Sequence, residues 1–256
     1  MTGVLYLMPN TLDFGVTLSE SGGPPDLQEV LPLGAIRMAA RLPCWVAENA
    51  KTTRAFLKRV NEVVPLTQPL QAIVITELPR ANKGAPALSP GSLQTLLAPA
   101  LAGQDVGLIS EAGMPAVADP GAALVQAAHA LKLRVVPLSG PSSMMLALAA
   151  SGLNGQSFAF VGYLPVDAAA RTARIRELET LSRRAQQTQL MIETPYRNAA
   201  LLNALLATLQ PGTRLAVSSG LTLANAQVRS QSVSTWRQSG KAVTVGDLPA
   251  VFAIGR

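Results

Sequence analysis

Short apolar runs alternate with longer Ala- and Leu-rich segments along almost the whole chain, and Gly or Pro punctuates the ends of the runs. In the first half the spacing predicts strands at residues 3–8, 44–47, 72–76, 107–110 and 134–137. Helices are predicted at 31–41, 51–61, 90–101, 120–131 and 142–150. Such a strand–helix rhythm is the signature of an α/β sheet with helices on its faces. The run Ser151-Gly152-Leu153-Asn154-Gly155 is short, small and turn-prone, so the expected domains are residues 1–153 and 156–256. The second half reads as α/β too, with an apolar stretch at 158–162, a charged helix at 167–184, strands at 189–192 and 215–218, and a helix at 198–209. Residues 227–234 and 250–254 look strand-like.

The chain has 256 residues, enough for two domains of ordinary size, and 48% of them are hydrophobic against 14% charged, the opposite of a disordered composition. The charged minority leans basic, at +6, which suits a polyanionic partner as well as it suits an ordinary surface poor in carboxylates. Cys44 is the sole cysteine and His129 the sole histidine, so neither a disulfide, a zinc cage nor a Cys-His or Ser-His-Asp triad is expected. His129 falls in an Ala-rich helical stretch and reads as a surface residue. The N-terminus lacks a basic leader, and apolar runs are broken well short of the roughly 20 residues that cross a bilayer. A soluble cytoplasmic protein without membrane attachment is the expectation.

Two strand–loop–helix junctions stand out. In Gly107-Leu-Ile-Ser-Glu-Ala-Gly-Met-Pro-Ala-Val-Ala-Asp-Pro-Gly121, Gly113 lets a ligand approach the main chain, and Asp119 is expected to cap the following helix with Pro120 in its first turn. In Val135-Val-Pro-Leu-Ser-Gly-Pro-Ser-Ser143, Ser142 and Ser143 open a helix, where they serve either a polar ligand or plain N-capping. Neither junction has the spacing of a dinucleotide or nucleoside triphosphate loop. Residues 13–26 and 79–89 lack regular pattern and follow predicted strands, where α/β sheets place ligands.

The first junction resembles the Ser-Asp-Ala-Gly-Thr-Pro…Asp-Pro-Gly motif of the tetrapyrrole-methylase superfamily, in its 16S rRNA cytidine 2'-O-ribose methyltransferase branch. Further segments line up in order: the second junction, then Ala150-Ser-Gly-Leu…Phe158…Gly162-Tyr-Leu-Pro165, then Glu193-Thr-Pro-Tyr-Arg197. The resemblance covers nearly the whole chain. It implies a two-domain tetrapyrrole-methylase-like α/β fold, a homodimer, and S-adenosylmethionine in a cleft between the domains. Carried over by position, Leu12, Gly113, Met114, Val117, Ser142 and Ser143 would line the cofactor, joined by Glu193, Thr194 and Gly220 from the second domain. It implies rRNA or the small ribosomal subunit as partner. No catalytic residue is assigned; Glu111, in place of the motif's Asp, is a candidate proton acceptor or a loop-organising one.

The sequence departs from that branch mainly at charged positions. Pro9-Asn-Thr-Leu-Asp-Phe-Gly15 replaces a Gly/Pro-rich motif, Ala47-Glu-Asn-Ala-Lys51 replaces Ala-Glu-Asp-Thr-Arg, and Ser219-Gly-Leu-Thr-Leu223 and Gly246-Asp-Leu-Pro249 lack the branch's charges. One basic concentration remains, Arg171, Arg174, Arg176, Arg183 and Arg184, readable as a phosphate-binding face or a solvated one. A small-molecule methyltransferase and a non-catalytic S-adenosylmethionine-binding paralogue are the alternatives.

Overall fold

A computed structural model describes residues 2–13, 25–79, 90–239, 245 and 247–256. The two irregular segments anticipated at 13–26 and 79–89, and Gly246, lie almost entirely outside the described residues. The chain divides into two compact units, Met1–Pro141 and Ser142–Arg256.

In the first unit the strands are β1 (Val4–Met8), β2 (Cys44–Ala47), β3 (Val74–Glu77), β4 (Val106–Ile109) and β5 (Arg134–Pro137). They form one parallel sheet in the order β3-β2-β4-β1-β5. β2 and β4 are buried along their whole length, whereas the edge strands β3 and β5 are more exposed and carry Glu77 and Arg134. Burial on both faces explains why the inner strands read as continuous apolar runs. Trp45 and Ala47 of β2 meet α2 (Leu33–Arg41) and α3 (Ala50–Val63) on one face. Cys44 and Val46 point to the other face, toward α4 (Pro90–Leu96), α5 (Ala98–Leu101) and α6 (Ala122–Ala130). A short α1 (Leu27–Val30) precedes α2. Gly107 in β4 has a packing reason: a β-carbon there would sit 2.7 Å from the Trp45 ring.

The second unit holds a mixed sheet of β6 (Phe158–Phe160), β7 (Thr188–Glu193), β8 (Arg214–Ser219), β9 (Gln227–Ser232) and β10 (Ala250–Gly255), in the order β6-β7-β10-β8-β9. Only β6 and β7 run parallel. The centre strand β10 is buried throughout. On one face lie α8 (Ala168–Ala185) and α9 (Asn198–Thr208), whose Ile175, Leu178, Leu201 and Leu205 pack with Phe252, Ile254 and Trp236. On the other face α7 (Ser143–Ser151) presses Met144, Ala147 and Leu148 onto Leu190, Ala216, Val251 and Ala253. That packing moves α7 into the second unit, so the division falls after Pro141 and not at the glycine-rich turn near residue 153.

Three local expectations are corrected. Residues 227–234 are not all strand: β9 stops at Ser232, whose Oγ accepts from Thr235 N and caps α10 (Val233–Gln238). The helix expected at 90–101 is interrupted at Leu97. Asp119 does not cap α6; Gly121 occupies the cap position with φ 126°, and the helix begins only at Ala122. Among the described residues no helix is long and apolar enough to cross a membrane.

Candidate functional site

All five strands of the first unit point the same way, so the loops after β1, β2, β4 and β5 gather at one edge of the sheet. Ligands of open α/β sheets bind at that edge. Main-chain bonds join two of these loops: Asn10 N donates to Gly113 O at 2.9 Å and Gly113 N to Asn10 O at 3.2 Å. The Asn10 side chain adds donations to Ser110 O and Glu111 O, both 3.0 Å, while its Oδ1 accepts from Thr11 N at 2.9 Å. Gly113 has φ 66°, and a β-carbon there would lie 3.2 Å from Leu12 Cδ2 and 3.6 Å from Pro141 O. Gly140 is tighter still, since a β-carbon would fall 2.1 Å from Pro9 Cβ. Leu12 and Gly113 are thus brought together, with Met114 half-buried and Val117 exposed beyond them. Ala116 and Ala118, flanking Val117, are held at φ 65° and 64°. A β-carbon makes that region cost about 1 kcal/mol or more per residue, strain of the kind that concentrates at functional loops. Ser110 Oγ is buried without a hydrogen-bond partner among the described residues.

Two further features of this edge were not read from the sequence. Asp13 accepts from Thr11 Oγ1 at 2.9 Å and pairs with Arg59 Nη1 at 3.0 Å, and Arg59 Nη2 donates to Pro25 O at 2.8 Å. Three carboxyl groups also face one another electrostatically. Glu48 Oε2 accepts from Glu111 N at 3.0 Å, and burial, with the charges of Glu48 and Glu111 adding to it, pushes Asp119 up to about 6. The ordinary value for that group is 3.8, so between there and about 6 the folded protein binds more protons than the unfolded chain. Stability therefore falls as pH rises through that window and stays lower above it. Asp119→Asn is expected to remove this fall, measured as urea-unfolding free energies at pH about 4 and about 7; an identical pH slope in the variant would mean the carboxyl is fully solvated.

In the second unit, Glu193 ends β7 and Ser219 ends β8, and both pair in register with Ala250 of β10. Thr194 and Gly220 are the next residues, so Glu193, Thr194 and Gly220 share one end of the sheet. Gly220 N donates to Pro249 O at 3.2 Å; its φ is 61°, and a β-carbon would meet Leu248 Cδ1 at 2.6 Å. The Glu193 carboxylate is engaged: Oε1 accepts from Thr194 N at 2.9 Å, and Oε2 pairs with Arg197 Nη2 at 2.8 Å. The far end of α7 lies by the other end of β10, where Leu153 packs on Gly255 and Ser230 Oγ donates to Ser151 O. The start of α7 is accordingly directed toward the Glu193 end. Ser142 sits at its N-cap in extended conformation, yet its side chain makes no capping bond, which leaves first-turn N–H groups for another acceptor.

A groove of about 670 Å³ on the first unit is lined by Lys58, Asn61, Glu62 and residues 66–70, and it takes in none of these loop residues. The charge is unevenly divided. Residues 142–256 carry eleven Lys and Arg against five Asp and Glu, whereas residues 1–141 carry ten of each, so the surplus of +6 sits in the second unit. Two of the five acids, Glu179 and Glu193, are buried. On α8, Arg174 pairs with Glu177 at 2.7 Å, while Arg176, Arg183 and Arg184 are exposed.

Two α/β units whose candidate ligand groups are main-chain atoms at strand ends, without a nucleotide-binding glycine loop, define a narrow class of folds. The chain belongs to the tetrapyrrole (corrin/porphyrin) methylases, whose family model matches residues 22–235. Ribosomal RNA small subunit methyltransferase I of Mesorhizobium japonicum is 40% identical over 127 residues, 50% of this chain and 42% of that protein. The protein of the same name from Pseudomonas aeruginosa is 43% identical over 95 residues, 37% of this chain and 32% of that one. The chain thus spans less than half the length of these curated relatives in its matches. The solved structure of the methyltransferase CobJ shares the fold, with a TM-score of 0.53 and 17% identity over 100% of this chain and 95% of that one. The resemblance read from the ordered motifs is borne out at the level of family and fold.

Proposed function

We propose that this protein is an S-adenosylmethionine-dependent methyltransferase acting on a ribose 2'-hydroxyl of small-subunit ribosomal RNA, and that it works as a cytoplasmic homodimer. The observation that carries the reading is the 40% identity to a ribosomal RNA small subunit methyltransferase I. In this reading Leu12, Gly113, Met114 and Val117 are cofactor-binding groups of the first unit, and Ser142, Ser143, Glu193, Thr194 and Gly220 are cofactor-binding groups of the second. The residues suit such a ligand. In the second unit the uncapped start of α7 offers N–H groups and a positive helix end to a carboxylate. In the first, Ser110 Oγ is a buried hydroxyl without a partner among the described residues.

S-adenosylmethionine supplies a methyl group already activated on a sulfonium, so the protein's chief task is alignment. Rigid main-chain turns at Gly113 and Gly220 serve that task better than long side chains do. A ribose hydroxyl must also lose its proton. The carboxylate of Glu111 is the acceptor in this reading. The test is transfer of labelled methyl from S-adenosylmethionine to small ribosomal subunits. Alkali-stable label in the RNA is expected. Label appearing only in a tetrapyrrole, or no binding of S-adenosylmethionine at millimolar concentration, would discard the reading.

A further inference from the structure

The most exposed apolar side chains of the described residues are Tyr196 at 82%, Val166 at 72% and Tyr163 at 57%. All three lie on two segments of the second unit that are bonded to one another. Arg197 Nη2 donates to Leu164 O at 3.4 Å, so each tyrosine is one residue away from an end of that bond. Ile192 N donates to Gly162 O at 3.2 Å and holds the start of the loop over β7. Arg171 Nη1 donates to Val166 O at 2.9 Å and brings a guanidinium to the end of it. The chain has only three tyrosines, and two of them stand here. The third, Tyr6, packs against the core of the first unit.

Two tyrosines this exposed, on segments bonded to one another, present apolar area that a soluble surface ordinarily covers. The surroundings identify what covers it. This unit carries the whole positive surplus of the chain, and on α8 Arg176, Arg183 and Arg184 are exposed, while Arg174 is paired with Glu177. An apolar protein surface has no use for that charge. A nucleic-acid strand uses both, through phosphates on the arginines and base faces on the rings. Duplex RNA keeps its base faces stacked inside and offers none to a ring.

We infer that Tyr163 and Tyr196, on the loop and turn joined by the Arg197–Leu164 bond, form a platform on which unpaired RNA bases stack, while the exposed arginines of α8, Arg176, Arg183 and Arg184, attract the phosphates. The inference rests on the RNA reading proposed above and assigns residues to it.

The test measures binding of a fluorescent, unstructured oligoribonucleotide and of a duplex of equal length by anisotropy. It compares the full chain with a Tyr163→Ala/Tyr196→Ala variant and a Tyr163→Phe/Tyr196→Phe variant. The alanine variant should bind the single strand about tenfold or more weakly, because each stacked base contributes on that scale. It should bind the duplex as the unaltered protein does, and the salt slope should not change, since no phosphate contact is lost. The phenylalanine variant should retain single-strand binding. Equal single-strand affinity in the alanine variant, or equal losses on single strand and duplex, would overturn the inference. So would a change in sedimentation with single-strand affinity intact, which would make the rings a protein contact. The two readings fail separately. Methyl transfer to small subunits with tyrosine-independent RNA binding keeps the function and removes the platform. Tyrosine-dependent single-strand binding without methyl transfer does the reverse.

Discussion

Arg197→Ala is expected to destabilise the second unit by about 3–5 kcal/mol, the cost of leaving a buried carboxylate without its counter-charge. The side chain of Glu193 is 1% exposed and that of its partner Arg197 is 22% exposed. After the substitution, Oε1 still accepts from Thr194 N, but Oε2 loses the guanidinium and water has little access to replace it. The bond from Arg197 to Leu164 O disappears at the same time, so the loop carrying Tyr163 loses a tether. The chain has two tryptophans, one per unit: Trp45 and Trp236. With Trp45 replaced by Phe, the buried Trp236, whose Nε1 donates to Leu215 O at 2.8 Å, reports urea unfolding of the second unit alone. A loss below about 1 kcal/mol would show that the pair behaves as a solvated surface pair.

The corresponding change in the first unit, Arg59→Ala, is expected to cost about 2 kcal/mol or more, because it takes a charged hydrogen-bond partner from a buried carboxylate. Asp13 has a 2% exposed side chain, and Arg59, at 16%, is its ionic partner. Arg59 also reaches Thr11 Oγ1 at 3.4 Å and Pro25 O at 2.8 Å, so one guanidinium spans three acceptors across the chain that leaves β1. Arg59→Lys should recover only part of the loss, because a single ammonium on a flexible stem cannot reproduce that fork. Trp45, in a Trp236→Phe background, is the reporter. Full recovery by lysine would reduce the interaction to simple charge attraction.

Where the sequence was legible, the reason was local. β2 and β5 fall at the residues expected because each is a short apolar run bounded by proline or a charge. The charged helix at 167–184 was readable because Asp167 caps it, its Oδ1 accepting from Ala170 N at 2.8 Å. α10 was hidden because six residues are too few to show a helical period, and its cap Ser232 ends a strand-like run. Asp119 looked like a cap because Asp-Pro-Gly often opens a helix; the φ of 126° at Gly121 delays the helix and leaves the carboxyl facing Glu48 and Glu111. Asn10 carried no signal, since its work is to bond a segment about a hundred residues away. The Glu193–Arg197 pair did carry one, at i,i+4 spacing within a motif noted for another reason. The partition of charge was open to the sequence, since no charged residue lies between Arg134 and Asp167 and any boundary placed there gives the same division.

The lacing of three loops has a consequence for ligand affinity. Asn10 is bonded to Gly113, Gly113 lies against Pro141 O, and Gly140 rests on the Pro9 ring with no room for a methyl group. The exits of the first, fourth and fifth strands are therefore one stiff piece of main chain before anything binds. A molecule that seats there spends little of its binding free energy on ordering the protein.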